Sequence, residues 1–386
     1  MRWIFWDPSD PEEAREHARI DAAIDAWWCW FASRIPEIER REAGLSRTEL
    51  EEIGTRLQAI HPELCWELGP DHPGGGWSLA ITPEGCHGLL PLVRTVVERA
   101  PRLDGWRWIE QREPVHPGSV AGAVLARTGY DLAGARVSVT PGRVRRTDLR
   151  FHSQHFESSE DRAAFRAVLV AAEAALGERA LDSWVGAVSV ERGKGDASAI
   201  PLEELGDAFK KVVYAAQAAR PNEPYWRCGK DENWFLVKRK AIEKDDYAGR
   251  EDIFIAQTVD PEIAQTVVLG FPFSSECFSR HGERFIFVKF DGSGGYQAQV
   301  ANRSAVEEAI EGALLREELG AQVGGATGLR YFYIDLAVTD LRRAVEVIRP
   351  QLRALELPRR SWILPMDADL SGEWIGVWDD TPPPPA

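Results

Sequence analysis

RYFYIDLAVTDLRRAVEVIRPQLRALELPRRSWILPM, residues 330–366, is the stretch that decides the fold class. Its apolar pattern predicts a strand over 330–338, a helix over 341–355 and a second strand over 361–366. A strand, a helix and a strand in close succession indicate that both kinds of element contribute to one core.

The same reasoning extends to the sequence on both sides of this stretch. Upstream, the pattern predicts strands over 284–290 and 296–301, followed by a helix over 304–319. Gly292-Ser-Gly-Gly295 lies between the two strands and predicts a hairpin turn. Downstream, a strand is predicted over 373–378. Over 284–378, the order β-β-α-β-α-β-β suits a small open sheet with two helices on one face. Before residue 284, the pattern predicts a helix over 202–216 and strands over 234–239 and 252–258.

The first half of the chain predicts the same mixture of elements. Ser46-Arg-Thr-Glu49 has the form of a capping box and predicts the start of a helix. The other predicted helices and the predicted strands are helices over 18–43, 88–99, 120–127 and 159–176, and strands over 64–68, 77–82, 106–111, 135–140, 146–152 and 184–191.

The chain therefore predicts an α+β protein with two domains, each a small antiparallel or mixed sheet with helices packed mainly on one face. The glycine-rich polar stretch 193–198 is the predicted linker. The boundaries that follow are a tryptophan-rich N-terminal domain over 1–195 and a C-terminal domain over 200–378. The segment 379–386, with four consecutive prolines, predicts a disordered tail.

Charge and cysteine usage restrict the class of protein. The formal net charge is −15, which argues against binding to nucleic acid because phosphate contacts need a basic surface. No run of eighteen apolar residues and no signal-peptide pattern is present, so we expect neither a membrane span nor secretion. The five scattered cysteines fit reduced thiols, which favours a cytoplasmic location.

Tryptophans are concentrated near the N-terminus, where nine of fifteen fall in the first 108 residues. Such a concentration indicates either an aromatic core or an aromatic recognition surface. On the predicted helix over 18–43, Trp27 and Phe31 belong to the apolar stripe, whereas Trp30 lies off it. We therefore predict that Trp28 or Trp30 contacts a partner.

Several motifs resemble a group of uncharacterised bacterial cytosolic proteins, some of which occur beside genes for secreted toxins and their immunity proteins. They are Trp30-Phe31, Ala100-Pro-Arg-Leu-Asp-Gly-Trp106, Leu176-Gly-Glu178 with Trp184, and Tyr331-Phe-Tyr-Ile-Asp335. The resemblance covers most of the chain but consists of packing motifs. It implies an α+β architecture and an interaction role, and it implies no catalytic residue.

Two sets of residues are candidates for chemistry. His61, Cys65, Cys86 and His87 would form a tetrahedral metal site if the strand over 64–68 lay beside the 82–88 turn, although the spacing is not a known zinc pattern and buried cysteine is the commoner case. Cys277 and His281 would form a thiol–imidazole pair only if the fold brought them within hydrogen-bonding distance.

The glycine-rich segments do not predict a nucleotide site. Gly324-Gly-Ala-Thr-Gly328 follows a predicted helix and precedes a strand, whereas phosphate-binding loops run from strand to helix. We therefore expect no cofactor and no metal. The main hypothesis is a non-enzymatic bacterial protein that binds another protein, in an immunity or adaptor role, with a basic toxin or enzyme as partner. The alternative is a hydrolase that uses Cys277 and His281 in a cleft between the two domains.

Overall fold

The computed structural model describes residues 2–40, 45–70, 75–158, 160–228, 234–292 and 296–385. The chain forms two compact units. Unit 1 consists of Met1–Val139 and Leu149–Phe209, and unit 2 consists of Thr140–Asp148 and Lys210–Ala386. The chain thus changes unit at 209/210 and not at the predicted 195–200, and a short segment inside the predicted N-terminal domain belongs to unit 2.

The first half of the chain alternates helices with short strands, in agreement with the sequence pattern. The helices are α1 Pro11–Glu39, α2 Arg47–Gln58, α3 Leu90–Glu98, α4 Val120–Thr128, α5 Arg162–Leu176, α6 Glu178–Trp184 and α7 Leu205–Ala218. The strands are β1 Cys65–Pro70, β2 Trp77–Thr82, β3 Trp106–Ile109, β4 Arg136–Pro141, β5 Thr147–Ser153, β6 Val185–Arg192 and β7 Ile200–Pro201.

The described part of unit 1 contains two sheets, whereas the sequence predicts one. In the first, β2 lies between β1, with which it is antiparallel, and β3, with which it is parallel. The apolar stripe of α1 belongs to the core of this sheet, and Ile24 and Phe31 have no exposed surface. The second sheet has the strand order β6-β5-β4-β7.

Unit 2 is built on one seven-stranded antiparallel sheet. Its elements are β8 Phe235–Lys238, β9 Ile253–Thr258, α8 Pro261–Leu269, β10 Arg284–Asp291, α9 Tyr296–Arg316, β11 Gly320–Gly328, β12 Tyr331–Val338, α10 Leu341–Ala354, β13 Ser361–Pro365 and β14 Ile375–Gly376. The strand order is β14-β13-β10-β12-β11-β9-β8. The α+β fold class predicted from the sequence is confirmed.

Six consecutive elements of unit 2, from β10 to β13, form a recurring supersecondary arrangement. The chain order is β10-α9-β11-β12-α10-β13, and the corresponding strands lie side by side in the order β13-β10-β12-β11. This β-α-β-β-α-β connectivity is that of a ferredoxin-like unit. Two further strands, β9 and β8, extend the sheet beyond β11, so that β8 forms one edge.

The structure of this half differs from the sequence prediction at three places. Residues 296–301, predicted as a strand, begin α9, so no hairpin joins them to β10; Ser293, Gly294 and Gly295 lie outside the described residues. Residues 324–328, predicted as a loop, belong to β11. The helix α8 was not predicted, although Asp260 accepts a hydrogen bond from Glu262 N and Pro261 follows it, which is a normal start of a helix.

The C-terminal segment is ordered as far as residue 385, contrary to the predicted disordered tail. The indole Nε1 of Trp362 donates to the Pro382 carbonyl at 2.7 Å. Asp379 accepts hydrogen bonds from Arg349 and Arg353 of α10 at 3.0 and 2.6 Å. The prolines keep the segment extended, and the backbone carbonyl of Pro382 supplies the contact, because proline lacks only the donor.

Residues 140–148 comprise the end of β4, the turn after it and the start of β5, and they belong to unit 2. Arg145 forms an ion pair with Asp260 at the start of α8 and donates to Glu262 at 2.7 Å. Arg146 donates to the Pro272 carbonyl. Among the residues that the structure describes, none of the helices has the length and hydropathy needed to cross a membrane.

Candidate protein-docking surface

The strand β8 forms an open edge of the sheet in unit 2. Phe235 pairs with Thr258 and Val237 with Ala256 in the antiparallel register, and Arg239 N continues this ladder by donating to Phe254 O at 3.1 Å. Because alternate residues of an antiparallel strand point their backbone groups to opposite sides, the N–H and C=O groups of Leu236 and Lys238 point away from β9. They are available to another strand.

Apolar side chains are exposed along this edge. The exposed fractions are 43% for Trp234, 45% for Phe235 and 62% for Leu236, and Val268 on the neighbouring helix α8 is 43% exposed. We call these four residues the β8 surface. Edge strands of soluble proteins are usually protected by charge, proline or a covering element, so an apolar exposed edge indicates a binding site.

A narrow crevice opens beside the β8 surface, between the strands β8 and β9 and the helix α8. Its walls are mainly apolar and include Val237, Ala256, Ile263 and Val267. Its volume is about 430 Å³ when the open mouth is included, but it is narrow, with little more room than one water molecule needs. The crevice therefore suits the tip of an apolar side chain and not a whole small-molecule ligand.

An ion pair contributes to the lining of the crevice. Arg250 Nη2 lies 2.6 Å from Asp335 Oδ1, and both side chains are about nine-tenths buried. The guanidinium carbon of Arg250 also lies 4.7 Å from the ring centre of Phe287 and 4.8 Å from that of Tyr333. The two rings and the carboxylate thus hold the Arg250 side chain in the crevice lining.

A second buried charge stabilises the segment that carries Arg250. Lys289 has no exposed surface, and its Nζ donates to the carbonyl oxygens of Tyr247, Ala248 and Gly249. Burial lowers the pKa of Lys289 to about 8. An amine with such a pKa is a good nucleophile when it is accessible, but Lys289 is not accessible, so its role here is to bind the three carbonyls.

Asp252 completes the attachment of this segment to the sheet. It accepts hydrogen bonds from Tyr333 Oη at 2.6 Å and from the Tyr331 backbone at 2.9 Å. Burial raises the pKa of Tyr331 to about 12, and burial likewise raises the pKa of Tyr333. Both phenols are therefore neutral donors at physiological pH. Asp252 and these two residues thus attach this segment to β12.

Three consecutive cations follow the apolar edge residues. Lys238 and Lys240 are exposed, and Arg239 is half-buried at the crevice wall. Within the described ranges, none of the three forms an ion pair with another residue. We call Lys238, Arg239 and Lys240 the basic run. It makes the β8 edge locally positive on a chain whose net charge is −15.

The Cys277 and His281 pair does not have the geometry of a nucleophile and its base. Cys277 is 1% exposed, and burial raises the pKa of its thiol to about 11. His281 Nε2 lies 3.3 Å from the Pro221 carbonyl oxygen. A buried thiol that stays protonated at neutral pH does not attack a substrate, so these residues do not support the hydrolase hypothesis.

The four predicted metal ligands have separate partners. His61 Nδ1 accepts from Glu63 N at 3.3 Å, and His87 Nδ1 lies 3.4 Å from Asp182. Burial, with a hydrogen bond to Glu84, raises the pKa of Cys65 to about 11, and burial with a hydrogen bond to Glu63 raises the pKa of Cys86. Over the described part of the chain, no three histidine, cysteine, aspartate or glutamate side chains are placed to hold a metal ion.

The two tryptophans predicted to contact a partner lie in different environments. Trp28 is 5% exposed, and its Nε1 donates to the Val96 carbonyl at 2.8 Å. It belongs to the core of unit 1, so its assignment to an interaction surface was wrong. Trp30 is partly buried against that core, with the Arg56 guanidinium 4.6 Å from its ring centre. Tryptophan spacing on a helix did not identify the exposed apolar surface.

The sequence contains a signal for the β8 edge that the strand prediction alone does not reveal. The strand over 234–239 was predicted, but its position at an edge depends on the strand order, which is a long-range property. The exposed apolar residues Trp234–Leu236 are followed, after Val237, by Lys-Arg-Lys, and such lysines are typical of an edge strand. Comparison of the chain with protein-family models, curated proteins and solved structures found no match.

Proposed function

We propose that this protein acts without enzymatic activity, by binding another protein through the β8 surface. One observation carries the proposal: Phe235 and Leu236 on the edge strand of a large sheet, and Trp234 just before it, are exposed together. The resemblance to proteins found beside toxin and immunity genes favours an immunity or adaptor role as the specific form of this function.

Burial of these side chains supplies enough free energy for a specific complex. An aromatic residue buries 150–250 Å² when fully covered, and tryptophan is the residue most enriched among those that dominate binding. Covering Trp234, Phe235 and Leu236 therefore contributes several kcal/mol, at about 25 cal/mol per Å² of apolar surface. Antiparallel pairing with β9 over Phe235–Lys238 keeps β8 in place, so little ordering accompanies binding.

The hydrolase alternative has no observation of comparable weight. Its proposed nucleophile, Cys277, has almost no contact with solvent, and its pKa is raised by burial. Lys289, whose pKa is lowered to about 8, is also buried. We therefore keep protein binding as the proposed function.

Site-specific photo-cross-linking in the native host tests this proposal. A photoreactive residue is placed at Leu236, and a matched one at Leu125, which is 49% exposed on α4 of unit 1. We expect a discrete protein adduct from position 236 and not from position 125. The cross-linked protein is then purified, and its Kd is measured for the wild-type chain, Leu236→Asp and Leu125→Asp.

The expected result is at least a tenfold weaker Kd for Leu236→Asp, about 1.4 kcal/mol or more, and an unchanged Kd for Leu125→Asp. Both substitutions replace exposed leucines, so thermal stability should stay within about 0.5 kcal/mol. Adducts of equal yield at both positions, or equal affinity of the two variants for the purified protein, would overturn the proposal.

A further inference from the structure

We infer that the partner binds β8 through an extended acidic segment, which adds to the sheet as an eighth strand. This inference rests on the proposed function and specifies the chemistry of the partner. It also differs from the basic partner that the net charge of the whole chain favours. Local charge at the contact, and not the total charge, decides which sequence is recognised.

The backbone of β8 supports strand addition. The outward N–H and C=O groups of Leu236 and Lys238 are spaced two residues apart, as in any antiparallel ladder. No strand of the described chain pairs with β8 on that side, since β8 ends the strand order. An extended segment satisfies these groups with main-chain hydrogen bonds, which supply affinity without sequence preference.

The side chains around β8 supply apolar recognition. Side chains of an added strand alternate between the two faces of the sheet. On one face they meet Val237 and the mouth of the crevice, and on the other they meet Leu236. The crevice is narrow, so a valine or threonine fits there better than an aromatic residue.

The basic run supplies charge recognition. Lys238, Arg239 and Lys240 continue the strand beyond its apolar residues and have no described acidic partner. Opposite charges on neighbouring strands stabilise the pair, and like charges destabilise it. Every neighbouring pair in this sheet for which the register is known is antiparallel, so the acidic residues of an antiparallel partner precede its apolar residues.

Binding of synthetic peptides to the full-length protein tests this inference. The probe is a fluorescein-labelled peptide, Glu-Asp-Glu-Val-Thr-Val-Thr-Val, compared with a peptide in which three lysines replace the three acids. A third peptide keeps the acidic sequence but carries N-methyl groups on alternate amides, which removes strand hydrogen bonds on one edge. A fourth carries them on the other amides.

We expect the acidic peptide to bind at least about tenfold more tightly than the lysine peptide, and one of the two N-methylated peptides to lose binding. The triple variant Lys238→Glu, Arg239→Glu, Lys240→Glu should reverse the preference. A control with the same change of charge in unit 1, Arg162→Glu, Arg166→Glu, Lys194→Glu, should preserve it; these three cations are exposed.

The outcomes separate this inference from the proposed function. Equal binding of the acidic and lysine peptides, or tolerance of both N-methylated peptides, overturns the inference and leaves the cross-linking result unaffected. No binding of any peptide up to about 1 mM also overturns it. Dimerisation of the wild-type chain that Leu236→Asp abolishes identifies a second copy as the occupant, which overturns it as well. Absence of a specific adduct at position 236 overturns both.

Discussion

At the scale of single residues, unit 2 contains charges whose burial is compensated by specific partners. Lys289 is completely buried, and its ammonium group binds three carbonyl oxygens and lies 4.4 Å from the ring centre of Tyr331. Asp246, Glu251 and Asp252 lie near enough to favour its charged form, and Arg250 opposes it, but burial outweighs them and lowers the pKa to about 8. This pKa shift should make the free energy of unfolding depend on pH.

Stability should rise with pH as Lys289 loses its proton. The folded pKa is about 8 and the ordinary value is 10.5, so between these values the unfolded chain holds a proton that the folded chain has lost. The free energy of unfolding therefore increases with pH in this window. The full effect is about 2–4 kcal/mol, since one pKa unit corresponds to about 1.4 kcal/mol.

The measurement compares urea unfolding of the wild-type chain and Lys289→Met from pH 7 to pH 9.5. Tyr331, whose pKa is raised to about 12, and Cys277, whose pKa is raised to about 11, act in the opposite direction at high pH. They titrate in both proteins, so the difference between the two curves isolates Lys289. That difference should grow with pH, and parallel curves would contradict the prediction.

At the scale of elements, features that depend on neighbouring residues were predicted correctly from the sequence. Features that depend on contacts distant in sequence were not. The capping box at Ser46 and Glu49 is present as predicted, because it involves only neighbouring residues. Residues 296–301 were wrongly predicted as a strand. Tyr296, Ala298 and Val300 alternate with polar residues as in a strand, but over only three positions. The two intervening glutamines, Gln297 and Gln299, are good helix formers and favour the helix that continues to Arg316.

Glycines explain a second error at this scale. The strand β11 contains Gly320, Gly324, Gly325 and Gly328, and glycine normally weakens a strand prediction. In the fold, a Cβ at Gly324 would lie 3.0 Å from Asp335 Oδ2, and one at Gly325 would lie 2.6 Å from Arg303 Nη2. The glycines therefore provide room for charged side chains from other elements, a requirement that no local pattern reveals.

Removal of the C-terminal segment should destabilise unit 2. A chain that ends at Trp378 leaves the buried Nε1 of Trp362 without the Pro382 carbonyl and removes Asp379 from Arg349 and Arg353. We expect the free energy of unfolding to fall by about 1–3 kcal/mol, the cost of an unsatisfied buried donor. Pro382→Ala is the control, because it retains the carbonyl and should change stability by less than about 0.5 kcal/mol. Equal thermal melting of the truncated and full-length chains would show that the segment contributes nothing.

At the scale of the whole molecule, the number of compact units was predicted but not the path of the chain between them. A domain boundary is visible in a sequence when composition changes there, as over 193–198. Both sides of this stretch nevertheless belong to unit 1, because β7, which follows it, pairs with β4, which precedes it. Pairing between strands so far apart in sequence is not recognisable from any local sequence pattern.

Limited proteolysis should therefore cut the chain without separating its fragments. Residues 193–198 are mostly exposed, so we expect the first cut there. The two fragments should elute together from a native gel-filtration column and separate on a denaturing gel, because unit 1 contains residues from both. Elution as two species would show that the β4–β7 pairing and its surroundings do not hold the fragments together.

The segment 140–148 has a consequence for the order of events during synthesis. Arg145 binds Glu262, which is 117 residues later in the chain, and Arg146 binds the carbonyl of Pro272, 126 residues later. A ribosome adds about 5–20 residues per second, so the two arginines leave the exit tunnel about 6–25 seconds before these partners. During that interval β4 and β5 can already pair, while Arg145 and Arg146 between them still lack these partners. Each nascent chain thus passes through a stage in which this part of unit 2 awaits residues not yet translated.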